Sequence, residues 1–346
     1  MTRLARLAAI SAAACLAGEG DATLRDFRFR NGERLDEIRI HYRSLGELRK
    51  DGSGRATNAV LILHGTGGSG ESFVTREYFK GELFGPGQPL DTAKYFVVIP
   101  DNLGHGKSTK PSDGLRAKFP RYGYLDMVEA QRRMLEEALG VNRLRLILGT
   151  SMGCMHAWVW GTEHPGYADA LMPLACLPHP ITGRNLVWRQ QVIDLLRSDP
   201  AYDSGNYTAP LAASKAVNYI LYLMGQNPLQ LQAKGPTREK ALQVFEEHRK
   251  ALRQTDPNDT IYQVDASHDY DPRPGLSKIT AAVAAVNFAD DPINPPDLRI
   301  LEREIKSVKR GRAIVMPATA STFGHGSHTH AELWQRYLIG LLKRSR

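Results

Sequence analysis

Cysteine is scarce in this 346-residue chain: only Cys15, Cys154 and Cys176 occur, and they are widely spaced. Neither a disulfide framework nor a CxxC zinc site can be built from them, so Cys154 and Cys176, set among apolar neighbours, read as buried thiols. Long apolar runs are also missing. None approaches the ~20 residues that a membrane-spanning helix needs. Blocks of one charge sign are missing too. Lys plus Arg number 45 against 37 Asp plus Glu, a formal charge of +8, but the basic residues are scattered apart from the tail Lys343-Arg344-Ser345-Arg346. Without an arginine-rich run or a recognisable module, nucleic acid is not an expected partner. Internal repeats and low-complexity tracts are absent as well.

What remains is the composition of a soluble globular protein: 42% hydrophobic and 24% charged residues, with mean hydropathy −0.36. Near the start, Arg3 and Arg6 precede the largely apolar stretch Leu7 to Ala17. Small residues at Cys15 and Ala17 suit a cut after Ala17. This pattern resembles a secretory signal, so residues 1–20 are expected to be a leader and the mature protein periplasmic or secreted. An ordinary alanine-rich helix in a cytoplasmic protein is the alternative.

Six apolar runs bounded by turn residues read as strands: Ala59–Leu63, Tyr95–Ile99, Leu144–Leu148, Ala170–Leu174, Ala282–Val286 and Ala313–Met316. Near-continuous apolar strands alternating with helical patterns, such as Asp126–Leu139 and Met152–Glu163, imply a mostly parallel sheet flanked by helices. The fold class is therefore α/β. Between about residues 178 and 280 the strand pattern gives way to polar helical text interrupted by prolines. That segment is expected to form a helical cap over the sheet's ligand-binding edge, inserted between core segments 21–177 and 281–346.

The strand Leu146–Leu148 runs into Gly149-Thr150-Ser151-Met152-Gly153 and then a helix. A Gly-x-Ser-x-Gly pentapeptide placed this way makes a sharp strand-to-helix turn that projects the serine hydroxyl above the sheet. Serine needs a histidine to take its proton and an acid to fix the histidine tautomer, in the chain order Ser, acid, His. Asp291, just beyond the strand Ala282–Val286, is the favoured acid, with its neighbour Asp290 as the alternative. His325, flanked by Gly324 and Gly326, is the favoured base over His328 and His330 on the same loop. A metal held by these three histidines is not expected, because partner carboxylates at ligand spacing are missing. Met152 N–H, at the helix start, and Thr66 N–H, in the loop after Ala59–Leu63, are the candidate oxyanion donors. His64, His105 and His156 read as structural.

The sequence at this point looks like an α/β-hydrolase and more narrowly resembles the homoserine O-acetyltransferase branch. The resemblance rests on Tyr42 and Gly46-Glu47-Leu48, His64 to Gly68, Gly85 to Thr92, and Asp126-Met127-Val128. It continues through Gly149 to Gly153, Asp199-Pro200, Asp291 to Pro296 and Gly324-His325. By that likeness Ser151, Asp291 and His325 occupy the triad positions and the chemistry passes through an acyl-enzyme. The branch usually reads Gly-Gly-Ser-Met-Gly-Gly and His-Asp where this chain has Gly149-Thr150-Ser151-Met152-Gly153-Cys154 and His325-Gly326. The resemblance also implies an arginine that grips the homoserine carboxylate shortly before the Asp-Pro pair, and Ile193 occupies that place here, so homoserine is not the expected acceptor.

The expected activity is cleavage of an ester or related acyl substrate by a serine hydrolase that needs no cofactor and no metal. An acyl-CoA-dependent O-acyltransferase is the alternative, and a non-catalytic binding protein on the same scaffold is a second. The expected partner is a small acyl substrate, with self-association into a homodimer open.

Overall fold

A computed structural model describes residues 18–252 and 254–345. The expected leader lies outside the described residues, except that Gly18, Glu19 and Gly20 already belong to the first strand. Eight strands form one sheet: β1 (Gly18–Arg28), β2 (Arg34–Leu45), β3 (Ala59–Leu63), β4 (Phe96–Pro100), β5 (Leu146–Thr150), β6 (Ala170–Leu174), β7 (Ala282–Phe288) and β8 (Gly311–Met316). Their spatial order is β1-β2-β4-β3-β5-β6-β7-β8. From β4 to β8 every pairing is parallel, whereas β1–β2 and β2–β4 are antiparallel.

The β1–β2 pair was not among the six strands read from the sequence. Over most of its length only one face is covered: Ala22, Leu24, Ile38 and Ile40 point into the core while charged neighbours face water, and only near the end of β2 are His41 and Arg43 buried on the other face. An edge hairpin of this kind carries a weaker apolar signal than a strand buried on both faces. The interior strands show the two-faced burial that their unbroken runs demand. In β3, Leu61 and Leu63 join one apolar layer and Val60 and Ile62 the opposite one.

Helices α1 (Glu71–Thr75), α2 (Glu77–Leu83), α3 (Tyr124–Arg133), α4 (Met152–Glu163), α10 (Ile300–Glu304) and α11 (Ala331–Arg344) accompany the sheet, with α5 (Gly183–Ser198), α6 (Ala213–Gly225), α7 (Pro228–Lys234), α8 (Arg238–Lys250) and α9 (Pro257–Asp265) between β6 and β7. The helix expected over 126–139 is α3 followed by a π-helical turn, Met134–Ala138. The α5–α9 segment holds an apolar cluster of its own, including Val192, Leu196, Val217 and Ile261.

One expectation is overturned outright. Cys154 and Cys176 are not thiols but partners in a disulfide. Residues 22 apart in sequence meet because α4 runs back along the sheet and places its first turn beside the end of β6. Sequence spacing carries no sign of that return.

Candidate active site

The turn between β5 and α4 is built by its glycines. A Cβ on Gly149 would sit 1.9 Å from Gly153 O, and one on Gly153 would sit 2.3 Å from Leu63 O. Neither position tolerates a side chain without moving backbone. Between them Ser151 is held at φ 53°, ψ −110°, a conformation that costs a non-glycine residue on the order of 1–3 kcal/mol. The surrounding amides enforce it: Ser151 N–H donates to Leu174 O at 2.9 Å and Gly153 N–H to His64 O at 3.0 Å.

Ser151 Oγ–H consequently points at His325, whose Nε2 accepts at 2.9 Å, and His325 Nδ1–H donates to Asp291 Oδ2 at 2.8 Å. Asp291 is 1% exposed. Burial alone would raise its carboxyl group, but His325, the Asn294 amide and the Ile293 N–H together hold it below the ordinary carboxylate range. The Asn294 side chain donates to Asp291 Oδ2 at 3.1 Å and Ile293 N–H to Oδ1 at 2.8 Å. An anion fixed in this way keeps His325 protonated at Nδ1 and leaves Nε2 free to accept. Beside the serine, the amides of Thr66 and Met152 have no acceptor among the described residues. Thr66 lies in the loop whose Gly65 abuts Ser151, and Met152 N–H opens α4.

A family model of the alpha/beta hydrolase fold matches residues 58–315. The chain belongs to the α/β-hydrolase fold family. Among its relatives, a probable acyltransferase from Methanothermobacter thermautotrophicus is 30% identical over 276 residues, covering 80% of this chain and 83% of the relative. A homoserine O-acetyltransferase from Clavibacter michiganensis subsp. michiganensis is 28% identical over 337 residues, covering 85% and 84%. An acetylester hydrolase from Corynebacterium glutamicum superposes with TM-score 0.80 over 94% of this chain and 96% of that one, at 19% identity, a likeness of fold.

In this α/β-hydrolase the remaining histidines stand apart from the serine. His328 Nδ1 has no partner, and its ring meets the His325 ring edge-on at 5.0 Å. Burial first, then the neighbouring His325, pushes it down to about 3, so it stays neutral. His330 stacks on Phe323. Asp290, the alternative acid, faces away from His325 and anchors the loop that carries it. Its Oδ2 accepts from Thr322 Oγ1 at 2.7 Å, from Gly324 N–H at 3.0 Å and from the Asn227 amide.

Under the Thr66 loop lies a polar network of buried side chains. His64 Nδ1–H donates to Gly65 O at 2.8 Å, and its Nε2 accepts from Asn102 N–H at 3.0 Å. Gln131 donates to Asn102 and to His156 Nδ1 and accepts from Trp160 Nε1–H. Burial pushes His64 and His156 below the usual imidazole range and His105 to about 3. Neutral imidazoles serve here as fixed hydrogen-bonding wedges. A polar cleft of about 650 Å³ opens beside the serine, lined by Gly65, Thr150 and His328 on one side and by Asp259 and Gln263 of α9 on the other.

The serine, aspartate and histidine stood in readable motifs. The supporting residues Asn227, Asn294 and Thr322 did not, because each acts through a loop contact that only the fold creates. Arg189, on α5, is 4% exposed. It is drawn inward by Val264 O, to which Nη1 donates at 3.1 Å. Arg184, on the same helix, is exposed.

Proposed function

We propose that this protein is a serine hydrolase that cleaves a small acyl ester through an acyl-enzyme. Ser151 Oγ attacks the carbonyl carbon as His325 Nε2 takes its proton. The carbonyl oxygen becomes an oxyanion that accepts from Thr66 N–H and Met152 N–H. The C–O bond to the alcohol then breaks, with His325 returning the proton to the departing oxygen. Water, deprotonated by His325, repeats the attack on the acyl-serine and releases the acid. The observation that carries this reading is the continuous chain of two short hydrogen bonds from Ser151 Oγ through His325 to Asp291.

The names of the sequence relatives favour a second reading, in which an alcohol rather than water takes the acyl group from acyl-CoA. The buried Cys154–Cys176 disulfide supports water, because it fits an oxidising compartment in agreement with the leader-like start, and acyl-CoA belongs to the cytoplasm. Aryl ester hydrolysis, followed by incubation with acetyl-CoA and assorted hydroxyamino acids, separates the two. Thiol release that depends on the added alcohol identifies a transferase, and ester cleavage without it identifies a hydrolase. Ser151→Ala should lower kcat by up to ~10⁶-fold on any accepted substrate. Near-full activity in that variant would remove the assignment.

A further inference from the structure

Cations without acids gather at one end of the sheet. Residues 305–346 hold eight Lys or Arg against one acid, Glu332. Elsewhere the charges are mixed: in β2, for example, Arg34 pairs with Asp26 at 3.2 Å and with Asp36 at 2.9 Å. The fold brings Lys306, Lys309, Arg310 and Arg312, at and before the start of β8, against Lys343 and Arg344 at the end of α11, and all six are exposed. Arg310 Nη2 donates to Arg344 O at 2.9 Å, and Arg344 Nη2 donates at 3.3 Å to the carbonyl of Val283, which lies opposite Gly311 in the strand register. Among the described residues no carboxylate comes within 4.0 Å of any of the six. Glu332 sits at the other end of α11, 3.2 Å from His330, and Asp169, ahead of β6, already serves Arg143 and Arg145.

Like charges gathered without counter-charges repel. Partial burial first, then Arg312 and Arg310, lower Arg344 below the ordinary guanidinium range. β8 is the last strand of the sheet, and cations on an edge strand keep other chains from pairing with it. That duty explains Arg312 alone. Lys306, Lys309 and Arg310 precede the strand, and Lys343 and Arg344 stand on a helix, so the group as a whole fits an anionic surface that covers several of them at once. Ile339 decides the kind of surface. It is 40% exposed and shares a face of α11 with Arg336 and Lys343, at spacings of three and four. An aliphatic side chain among cations enters the headgroup boundary of a bilayer, whereas the phosphates of a nucleic acid offer it nothing.

We propose that this face docks on anionic phospholipid headgroups at a bilayer surface, with Lys309, Arg310, Arg312 and Lys343 pairing the phosphates and Ile339 entering between them. The cations lie at the start of β8 and His325 follows its end, and the 6 residues of the strand span roughly 20 Å. A bilayer on this face therefore leaves the serine end of the sheet open to soluble substrate.

Co-sedimentation tests this with two kinds of vesicle, phosphatidylcholine alone and phosphatidylcholine with about one-third phosphatidylglycerol. The wild type should bind the anionic vesicles and not the neutral ones, and binding should weaken by at least about 10-fold between about 0.05 and 0.5 M NaCl. Arg310→Ser/Arg312→Ser should lower the partition constant by about 25-fold, at about 5-fold per cation, and Ile339→Ser by about 5-fold. Arg25→Ser/Arg28→Ser removes two exposed cations from β1, at the opposite edge of the sheet, and should leave binding within about 3-fold of wild type. Urea midpoints close to that of the wild type show each variant folded. Should Arg310→Ser/Arg312→Ser fall short of that, Lys309→Ser/Lys343→Ser removes two cations that make no side-chain hydrogen bond among the described residues, with the same expected loss. No preference for anionic vesicles, or an equal loss in Arg25→Ser/Arg28→Ser, overturns the proposal. Retention of a short DNA duplex with no vesicle bound overturns it too, and makes the face one for nucleic acid.

Discussion

Asp290 and Asp291 are adjacent carboxylates with opposite surroundings, and the backbone between them sends one to the histidine ring and the other to the loop that carries the ring. Asp291→Asn keeps the volume and removes the charge that holds the His325 tautomer. It should lower kcat on the order of 10⁴-fold, the loss of activity being the first effect seen. Asp290→Ala should do the reverse first. Three donors, from Asn227, Thr322 and Gly324, lose their shared acceptor, so urea unfolding should show a loss of at least about 2 kcal/mol. Steady-state kinetics and urea melts on both variants check the division of labour. Equal kinetic damage would show that the pair shares one role. The sequence could rank these two residues by position but could not separate them, since what distinguishes them is a partner 34 residues away reached by opposite sides of a turn.

At the scale of elements, the interior strands and the turn that carries Ser151 were legible because burial on both faces and a glycine-bounded elbow write strong local patterns. The β1–β2 hairpin and the disulfide were not, since one is half solvated and the other depends on α4 returning to β6. That link is mechanically placed. Ser151 N–H donates to Leu174 O, Ala175 N–H to Val286 O at 2.9 Å, and the Asn294 amide to Ala175 O at 3.0 Å, so the bridge at Cys176 sits where elbow and acid loop meet. Closing a loop across a sequence separation of 22 stabilises by roughly 3 kcal/mol through restriction of the unfolded chain. The Cys154→Ala/Cys176→Ala double variant should lose about that in urea, and reducing agent should lower the wild-type midpoint but not the variant's. Helix α9 gives a second test. Burial, with Asp256 adding repulsion against the Ser112 donors, lifts Asp259 from 3.8 to about 6. A carboxyl group raised in the fold contributes stability at low pH that is lost as pH climbs through about 6. Asp259→Asn removes that loss, so its stability relative to wild type should rise by about 2–3 kcal/mol between roughly pH 4 and pH 7.5. A pH-independent difference in urea unfolding would contradict the raised value.

Across the whole molecule, a net charge of +8 draws anionic esters toward the surface, and that attraction enters kcat/KM through the association rate. The surface field is screened beyond about 8 Å at physiological ionic strength and about 3 Å at 1 M salt. A preference for an anionic ester that the overall field supplies therefore vanishes with salt. The ratio of kcat/KM for 4-nitrophenyl hydrogen glutarate over 4-nitrophenyl butyrate should fall between about 0.05 and 1 M NaCl, with kcat for both esters unchanged. A ratio that does not move with salt would show that the molecule's net charge has no part in bringing substrate to the serine.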